Sequence, residues 1–253
     1  MKGIALITGA SAGLGVEFAR QLSKRGHALV LAARRKERLE ELASQLGNAR
    51  AVAIDLSEAD ATAKLMRDIE AAGEQVDLLV NNAGFGLIGR FAEADAKRLR
   101  QMIDLNVRTL TDLCRAVAPG MIERRSGAIL NVASTAAFQP GPNMAVYFAT
   151  KAFVLSLTEA LHEELKPHRI KVSCLCPGPT RTEFGEVAGF RGDFAGLFDK
   201  LSMDAATVVG SGLAGLDRNK AVVVTGTLNK VGATSTRFFP RALVRKVAGA
   251  IKY

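Results

Sequence analysis

Cysteines are few in this sequence, and no apolar run is long enough to cross a bilayer. The three cysteines, Cys114, Cys174 and Cys176, match neither a disulfide framework nor the spacing of metal ligands, so we expect buried free thiols and no bound metal. The first apolar run starts within three residues of the N-terminus, which leaves no room for a signal peptide. We therefore expect a soluble cytoplasmic protein.

Proline is also scarce, and low-complexity sequence, internal repeats and linkers are absent. Only seven of the 253 residues are proline, whereas 48% are hydrophobic, and this composition leaves little room for disorder. A chain of this length can form one large α/β domain with a sizeable core. We expect that domain over residues 1–227, followed by an extension over residues 228–253.

Acidic residues are missing from the extension, so it carries six of the protein's nine excess positive charges. Pro240 can begin a helix there. The apolar face of that helix would consist of Leu243, Val244, Val247, Ala248 and Ile251. A basic amphipathic helix can contact an anionic membrane surface, but its shortness favours packing on the protein's own sheet or on a partner subunit. No nucleic-acid-binding motif accompanies the charge, so we expect no nucleic-acid partner.

Apolar runs typical of buried parallel strands alternate with helical patterns. The seven runs lie at residues 3–8, 28–33, 51–55, 76–80, 128–133, 171–176 and 221–225. Two long helices are predicted at 99–122 and 146–165. The alternation predicts a doubly wound, or Rossmann, seven-stranded parallel sheet flanked by helices, in which ligands bind beyond the carboxyl ends of the strands.

A glycine-rich turn joins the first strand to the first helix. Gly9, Gly13 and Gly15 lack a Cβ atom, so the backbone can turn tightly and a pyrophosphate can approach the free N–H groups of the helix. Their G-x-x-x-G-x-G spacing differs from the G-x-G-x-x-G of the commonest dinucleotide fingerprint. The turn therefore predicts a dinucleotide site, with a plain tight turn as the alternative.

Tyr147 and Lys151 are four residues apart in a predicted helix, so their side chains share one face. An ammonium group beside a phenol favours the phenolate and should lower the tyrosine pKa from about 10. The only other tyrosine is the terminal Tyr253. Tyr147 is therefore the candidate proton donor beside the predicted nucleotide site.

Six motifs over about residues 3–227 resemble those of the short-chain dehydrogenase/reductase family in its compact single-domain form. They are Thr8-Gly9-x-x-x-Gly13-x-Gly15, Asn81-Asn82-Ala83-Gly84, Asn106, Ser134, Tyr147-x-x-x-Lys151 and Pro177-Gly178. The resemblance implies an oxidoreductase that transfers a hydride between a nicotinamide coenzyme and a carbonyl or alcohol group.

The resemblance also implies a role for each catalytic candidate. Tyr147 would deliver the proton and Ser134 would orient the substrate oxygen. Lys151 would lower the tyrosine pKa and hold the nicotinamide ribose. Asn106, in the long helix after the fourth strand, would hold a water molecule that links Lys151 to solvent. Each residue alone has an ordinary structural explanation, but their joint spacing favours catalysis.

The same resemblance assigns further residues to the coenzyme. Asp55 would accept a hydrogen bond from the adenine amino group, although an Asp there can also form a turn. Thr182 would contact the nicotinamide carboxamide, or else cap a helix. The predicted coenzyme set is Gly9, Ser11, Gly13, Leu14, Gly15, Arg34, Asp55, Leu56, Asn82, Ala83, Gly84, Tyr147, Lys151, Pro177, Gly178 and Thr182.

The end of the second strand distinguishes NADP from NAD. An NAD enzyme normally places an acid near the position of Ala33, where it accepts from the ribose 2′-hydroxyl. Here no acid is present and two arginines follow. A guanidinium group suits a phosphate, so Arg34 predicts NADP, while Arg35 fits either a phosphate contact or the start of a solvated helix. Ala12 departs from the basic residue that many NADP-preferring relatives carry there.

An apolar segment with interspersed glycines follows the sixth strand. Its large side chains are Phe184, Val187, Phe190, Phe194, Leu197 and Phe198. The family places its substrate lid here, at about residues 183–203, and an apolar lining suits a lipophilic ligand. The alternative is that these side chains pack in the core or at a subunit interface.

Together these features predict an NADP-dependent oxidoreductase for a small-molecule, hydrophobic carbonyl or alcohol substrate. A 3-oxoacyl thioester reductase would use the same residues and set the basic tail against an anionic carrier. A nucleotide-sensing protein without turnover is the alternative of another class, but the joint presence of Asn106, Ser134, Tyr147 and Lys151 favours catalysis. Relatives assemble through the two long helices, so we expect a homodimer or homotetramer.

Overall fold

Seven parallel strands form one sheet in the computed structural model, which describes residues 2–249. The strands are β1 (Lys2–Thr8), β2 (Leu29–Ala33), β3 (Ala49–Ala53), β4 (Glu74–Asn81), β5 (Gly127–Val132), β6 (Ile170–Cys176) and β7 (Val222–Val224). Their order is β3-β2-β1-β4-β5-β6-β7. This confirms the predicted doubly wound sheet, whose strand order reverses between β1 and β4 and so opens a crevice there.

A few predicted positions lie outside this description. They are Ile251 and Tyr253, together with the side chains of Phe194 and Leu197. The side chains of Lys2 and Asp193 are not described either.

Eleven α-helices accompany the sheet within the described residues. They are α1 (Gly13–Lys24), α2 (Lys36–Leu46), α3 (Ala61–Ala71), α4 (Ala96–Ile103), α5 (Leu110–Arg124), α6 (Ala145–Leu165), α7 (Phe184–Ala188), α8 (Gly192–Leu201), α9 (Ala205–Asp217), α10 (Thr227–Ser235) and α11 (Arg241–Gly249). None of the helices described is both long and apolar enough to span a membrane.

The core forms two layers because successive residues of each strand point to opposite faces. In β1, Ile4 and Leu6 pack with α3, α5 and α6. Ala5 and Ile7 pack with α1, α2 and α9 on the other face. Burial on both faces accounts for the continuous apolar runs in the sequence. The three cysteines are buried free thiols, as predicted.

The third strand lies two residues earlier than predicted, at Ala49–Ala53. It pairs with β2 from Leu29↔Ala49 onward. Asp55 follows the strand, where its carboxylate accepts hydrogen bonds from the backbone N–H and the hydroxyl of Ser57, at 2.9 and 2.7 Å. This local turn ends the extended conformation, so the predicted strand at 51–55 was wrong at both ends.

The predicted long helix after β4 contains an irregular turn. A π-helical turn, Asp104–Thr109, joins α4 to α5, and Asn106 lies within it. The prediction of a regular helix over 99–122 was therefore incomplete. The wider turn occurs where the buried Asn106 side chain reaches across to the loop after β4.

Candidate active site

A single crevice of about 910 Å³ runs along the carboxyl ends of the strands. Every predicted coenzyme residue except Gly15 lines it, and so do Ser134, Tyr147 and Lys151. Asn106 does not. The fold therefore brings nearly the whole predicted set to one place, although its members are spread over most of the chain.

The glycine turn forms the phosphate end of the crevice. Gly9 and Gly13 have φ angles of +67° and +52°, which side chains rarely adopt. A Cβ on Gly15 would lie 2.1 Å from the Gly9 carbonyl oxygen, so Gly15 packs behind the wall and does not line it. No side chain caps α1 at Ala12. The Gly15 N–H donates to the Ala12 carbonyl at 3.1 Å, and the preceding N–H groups of the first turn remain for a pyrophosphate.

Thr8 and Asn82 join the loops after β1 and β4. The Thr8 hydroxyl accepts hydrogen bonds from the backbone N–H groups of Asn82 and Ala83, each at 3.0 Å. The Asn82 side chain donates to the carbonyls of Thr8 and Gly9, at 2.9 and 3.3 Å. The Asn-Asn-Ala-Gly motif therefore fixes the position of the glycine turn.

Arg35 makes contacts that the sequence did not reveal. Its Nε and Nη2 atoms donate to the Ser11 hydroxyl and carbonyl, each at 3.1 Å. Its Nη1 atom donates to Glu183, 2.8 Å away, and Arg38 donates to the same carboxylate at 2.6 Å. Arg35 is thus more than the start of a solvated helix, whereas the neighbouring Arg34 is exposed at the edge of the crevice.

Tyr147 is buried, and its ring lies 5.4 Å from that of Phe184. Burial raises the pKa of Tyr147 to about 12, and a hydrogen bond with the Ser134 hydroxyl opposes the shift. The predicted lowering of the Tyr147 pKa by Lys151 was therefore wrong, because the protein's own groups raise this pKa. Desolvation of the phenolate dominates, and the Lys151 ammonium is directed to the carbonyl of Val132, at 2.9 Å.

Lys151 is buried behind the catalytic tyrosine candidate, with its Nζ atom 5.8 Å from the Tyr147 ring centre. Burial lowers the pKa of Lys151 to about 8, while Cys174 and Cys176 oppose that shift. The amine therefore remains mainly charged at neutral pH. This position agrees with the predicted shared face of the helix.

Ser134 both caps a short helical turn and lines the crevice. Its hydroxyl accepts from the Ala136 N–H at 3.1 Å, capping a short helical turn, and donates to the Pro177 carbonyl at 3.5 Å. The same side chain lines the crevice and bonds to Tyr147. A structural cap and a substrate-facing hydroxyl are therefore compatible.

Asn106 supports the site from behind. It accepts from the Phe85 N–H at 3.1 Å and donates to the Phe85 carbonyl and the Thr150 hydroxyl, at 3.0 and 3.1 Å. A Cβ on Gly84 would lie 2.9 Å from the Asn106 oxygen and 3.6 Å from Lys151 Nζ. Asn106 therefore holds the loop after β4 next to Lys151, and its water relay stays a prediction.

The segment after Thr182 supplies an apolar wall. Phe184, Val187, Phe190 and Phe198 line the crevice. The rings of Phe184 and Phe190 are 6.0 Å apart, and those of Phe190 and Phe198 are 5.0 Å apart. These aromatic side chains thus pack with each other and also face the space in front of Tyr147.

The C-terminal helices supply an opposite wall that sequence reasoning missed. Leu228 on α10 and Leu243, Val244 and Val247 on α11 line the crevice, as does Phe239 between the helices. The predicted helix after Pro240 is present, and Ala248 is its buried contact. Its periodic apolar face was the signal that could have indicated this wall.

Among the residues described, no three His, Cys, Asp or Glu side chains are grouped to hold a metal ion.

Comparison with known proteins identifies relatives of this arrangement. The sequence profile of the short chain dehydrogenase family matches residues 3–189. The NADP-dependent 3-hydroxy acid dehydrogenase of Shigella flexneri is 38% identical over 193 residues, which are 75% of this chain and 77% of that protein.

Two solved structures match over the whole chain, including the C-terminal helices. A short-chain dehydrogenase from Sphingobium yanoikuyae, in complex with NADPH, is 33% identical with a TM-score of 0.83, covering 100% of this chain and 97% of its own. The bulky-bulky ketone specific alcohol dehydrogenase from Comamonas testosteroni is 30% identical with a TM-score of 0.77, covering 100% and 95%.

Proposed function

We propose a bulky hydrophobic ketone, or its secondary alcohol, as the substrate of this chain, which belongs to the short-chain dehydrogenase family and is an NADP-dependent enzyme acting on hydroxyl and carbonyl groups. The observation that carries the proposal is the apolar crevice in front of Tyr147, with aromatic side chains on one side and α11 on the other. Such a lining favours a large apolar ligand held by few polar groups. The substrate named for the Comamonas testosteroni relative supports the same size class.

NADP supplies the hydride chemistry when bound. In our proposal the Tyr147 hydroxyl gives a proton to the substrate oxygen during reduction, and the Ser134 hydroxyl donates to that oxygen. A pKa of about 12 keeps Tyr147 protonated at neutral pH. The buried Lys151 ammonium would hold the nicotinamide ribose of the bound coenzyme.

In our proposal, different residues of the crevice bind different parts of the coenzyme. We assign the pyrophosphate to the glycine turn and the first turn of α1, and the 2′-phosphate to Arg34. Asp55 and Leu56 flank the adenine. The nicotinamide carboxamide is assigned to the segment containing Pro177, Gly178 and Thr182. The absence of an acid at Ala33 and the missing side-chain cap on α1 support these assignments.

Segment 183–203 serves as the substrate lid in this proposal, and residues 228–249 supply a further wall of the crevice. Exposed apolar side chains on the long helices, such as Ile103 on α4 and Phe153 on α6, support self-association into a homodimer or homotetramer. Leu243, Val244 and Val247 on α11 line the crevice, and Leu243 and Val247 are 45% and 62% exposed. In our proposal a bulky apolar ligand, and not a membrane, covers this face.

A 3-oxoacyl thioester reductase is the second candidate. The observation that favours it is a set of exposed cations, Arg237, Arg241, Arg245 and Lys246, in the segment that also carries the crevice-lining Phe239 and Val244. An anionic carrier would be attracted to this set. The bulky-ketone proposal is preferred because the apolar walls lie inside the crevice, whereas none of these cations lines it.

The test is NADPH oxidation, followed spectrophotometrically, with aromatic and polycyclic ketones, 3-oxoacyl thioesters and small aldehydes. We expect the bulky ketones to give the highest kcat/KM. Thioesters as the preferred substrates would establish the second candidate. A preference for small polar carbonyls would contradict both.

A further inference from the structure

The Glu183 carboxylate contacts Arg35, which follows the end of β2, where the sequence distinguishes NADP from NAD. Glu183 immediately precedes α7 and accepts hydrogen bonds from Arg35 at 2.8 Å and from Arg38 at 2.6 Å. Arg35, just before α2, also donates to Ser11 in the glycine turn. It therefore links the glycine turn to the segment after Thr182. Arg35 and Glu183 both line the crevice.

Charge makes this contact unusual for an NADP site. The sheet has no acid at the end of β2, yet Glu183 supplies one through space. The two arginines hold the pKa of Glu183 below its usual value, so the carboxylate is ionised at neutral pH. An anion therefore already occupies donors of Arg35, beside the exposed Arg34.

We propose that Glu183 is a carboxylate latch that competes with the 2′-phosphate of the coenzyme for Arg35, which lines the crevice next to Arg34, while Arg38 binds the same carboxylate from outside the crevice. The inference rests on the proposed function, which assigns the 2′-phosphate to Arg34. A phosphate and a carboxylate repel each other when they share the same guanidinium groups. The side chains of the latch are 40–52% exposed, and ion pairs of that exposure are weak, so a phosphate can displace Glu183 reversibly.

Displacement of Glu183 affects the catalytic residues through Thr182 and Phe184, its two neighbours in the sequence. Thr182 packs against the glycine turn, since a Cβ on Gly13 would lie 3.0 Å from it. Phe184 packs its ring against Tyr147, with the centroids 5.4 Å apart. Exchange of Glu183 for phosphate thus frees the start of α7 at the point where it contacts both the coenzyme turn and the proton donor.

Calorimetric titration with 2′,5′-ADP and with 5′-AMP tests the latch without turnover, because the two nucleotides differ only in the 2′-phosphate. We expect Glu183→Gln to tighten 2′,5′-ADP binding about fivefold, since two weak ion pairs no longer compete, and to leave 5′-AMP binding unchanged. Glu186→Gln removes a carboxylate from the same helix outside the latch, and should leave both affinities unchanged. Thermal unfolding verifies that each variant is folded.

The outcomes separate the latch from the function on which it rests. If wild-type protein prefers 2′,5′-ADP but Glu183→Gln changes neither affinity, or both equally, the latch is refuted and the phosphate assignment stands. If wild-type protein shows no preference, both fall. Hydrogen exchange gives a second measure: 2′,5′-ADP, and not 5′-AMP, should increase exchange in residues 184–190 of the wild type, and unchanged exchange there would overturn the release.

Discussion

The amine nitrogen of Lys151 lies 5.8 Å from the centre of the Tyr147 ring, and both side chains are buried. Burial favours the neutral form of each group, so it raises the pKa of Tyr147 to about 12 and lowers that of Lys151 to about 8. The pair therefore combines a firmly protonated phenol with an amine that is easily deprotonated. Two predictions test these opposite shifts.

The first prediction concerns Tyr147→Phe, which removes the hydroxyl and keeps the ring against Phe184. We expect kcat for ketone reduction to fall by about 100-fold to 10,000-fold, because proton transfer is lost. NADPH affinity, measured by fluorescence titration, should change little. Phe91→Leu changes an exposed aromatic side chain that does not line the crevice and should retain full activity. Substantial turnover by Tyr147→Phe would exclude this residue as the acid.

The second prediction concerns stability and pH. The pKa of Lys151 is about 8 when folded and 10.5 at its ordinary value, so between these pH values the unfolded chain binds the extra proton. Stability of the wild type should therefore rise with pH relative to Lys151→Met, by up to about 3 kcal/mol across this window. Urea unfolding at several pH values measures it, with the exposed Lys166→Met as control. A parallel pH dependence in wild type and Lys151→Met would contradict the buried charge.

The third prediction concerns Gly15, which packs behind the phosphate turn. A Cβ there would lie 2.1 Å from the backbone oxygen of Gly9, which cannot move aside as a side chain can. Gly15→Ala should lower the free energy of unfolding by about 3 kcal/mol and weaken NADPH binding. Gly232→Ala, on α10 with no atom within 4 Å of the new Cβ, should be neutral or stabilising. Equal effects in urea unfolding would refute the packing role.

The fourth prediction concerns coenzyme choice. Arg34→Ala should weaken NADPH about tenfold or more, the size expected for a lost charged hydrogen bond, and leave NADH unchanged. Titration with both coenzymes measures the effect. Lys36→Ala removes a nearby exposed cation that pairs with Glu40, and should affect neither. Equal loss for NADPH and NADH would remove the 2′-phosphate assignment.

Patterns within short stretches of the sequence were sufficient to predict the sheet and most of the residues that line the crevice. Each buried strand is a short apolar run, and residues that follow such runs meet at one edge of a parallel sheet. This reasoning brought Ser134 and Lys151 together although different elements carry them. It misplaced the end of the third strand, because the Asp55 side chain forms a local turn with Ser57 that apolar periodicity does not reveal, although Asp55 does line the crevice.

Contacts between distant polar residues were beyond sequence reasoning. Arg35 and Glu183 are 148 residues apart, and neither stands in a pattern that names its partner. The direction of the Tyr147 pKa shift was missed for a similar reason, since burial depends on what the rest of the chain packs around the ring. The tail showed an apolar face, but its periodicity could not indicate which surface would cover it.

The last prediction concerns α11 as a wall of the substrate crevice. Both Val247 and Ala242 on this helix are exposed, but only Val247 lines the crevice. Val247→Arg should raise KM for a bulky ketone about tenfold or more, because a charged side chain replaces an apolar contact. It should leave NADPH binding unchanged, and Ala242→Arg should change neither quantity. If the apolar face serves a membrane instead, Val247→Arg would leave KM unchanged, and the wild type would co-sediment with anionic vesicles more than a chain ending at residue 239.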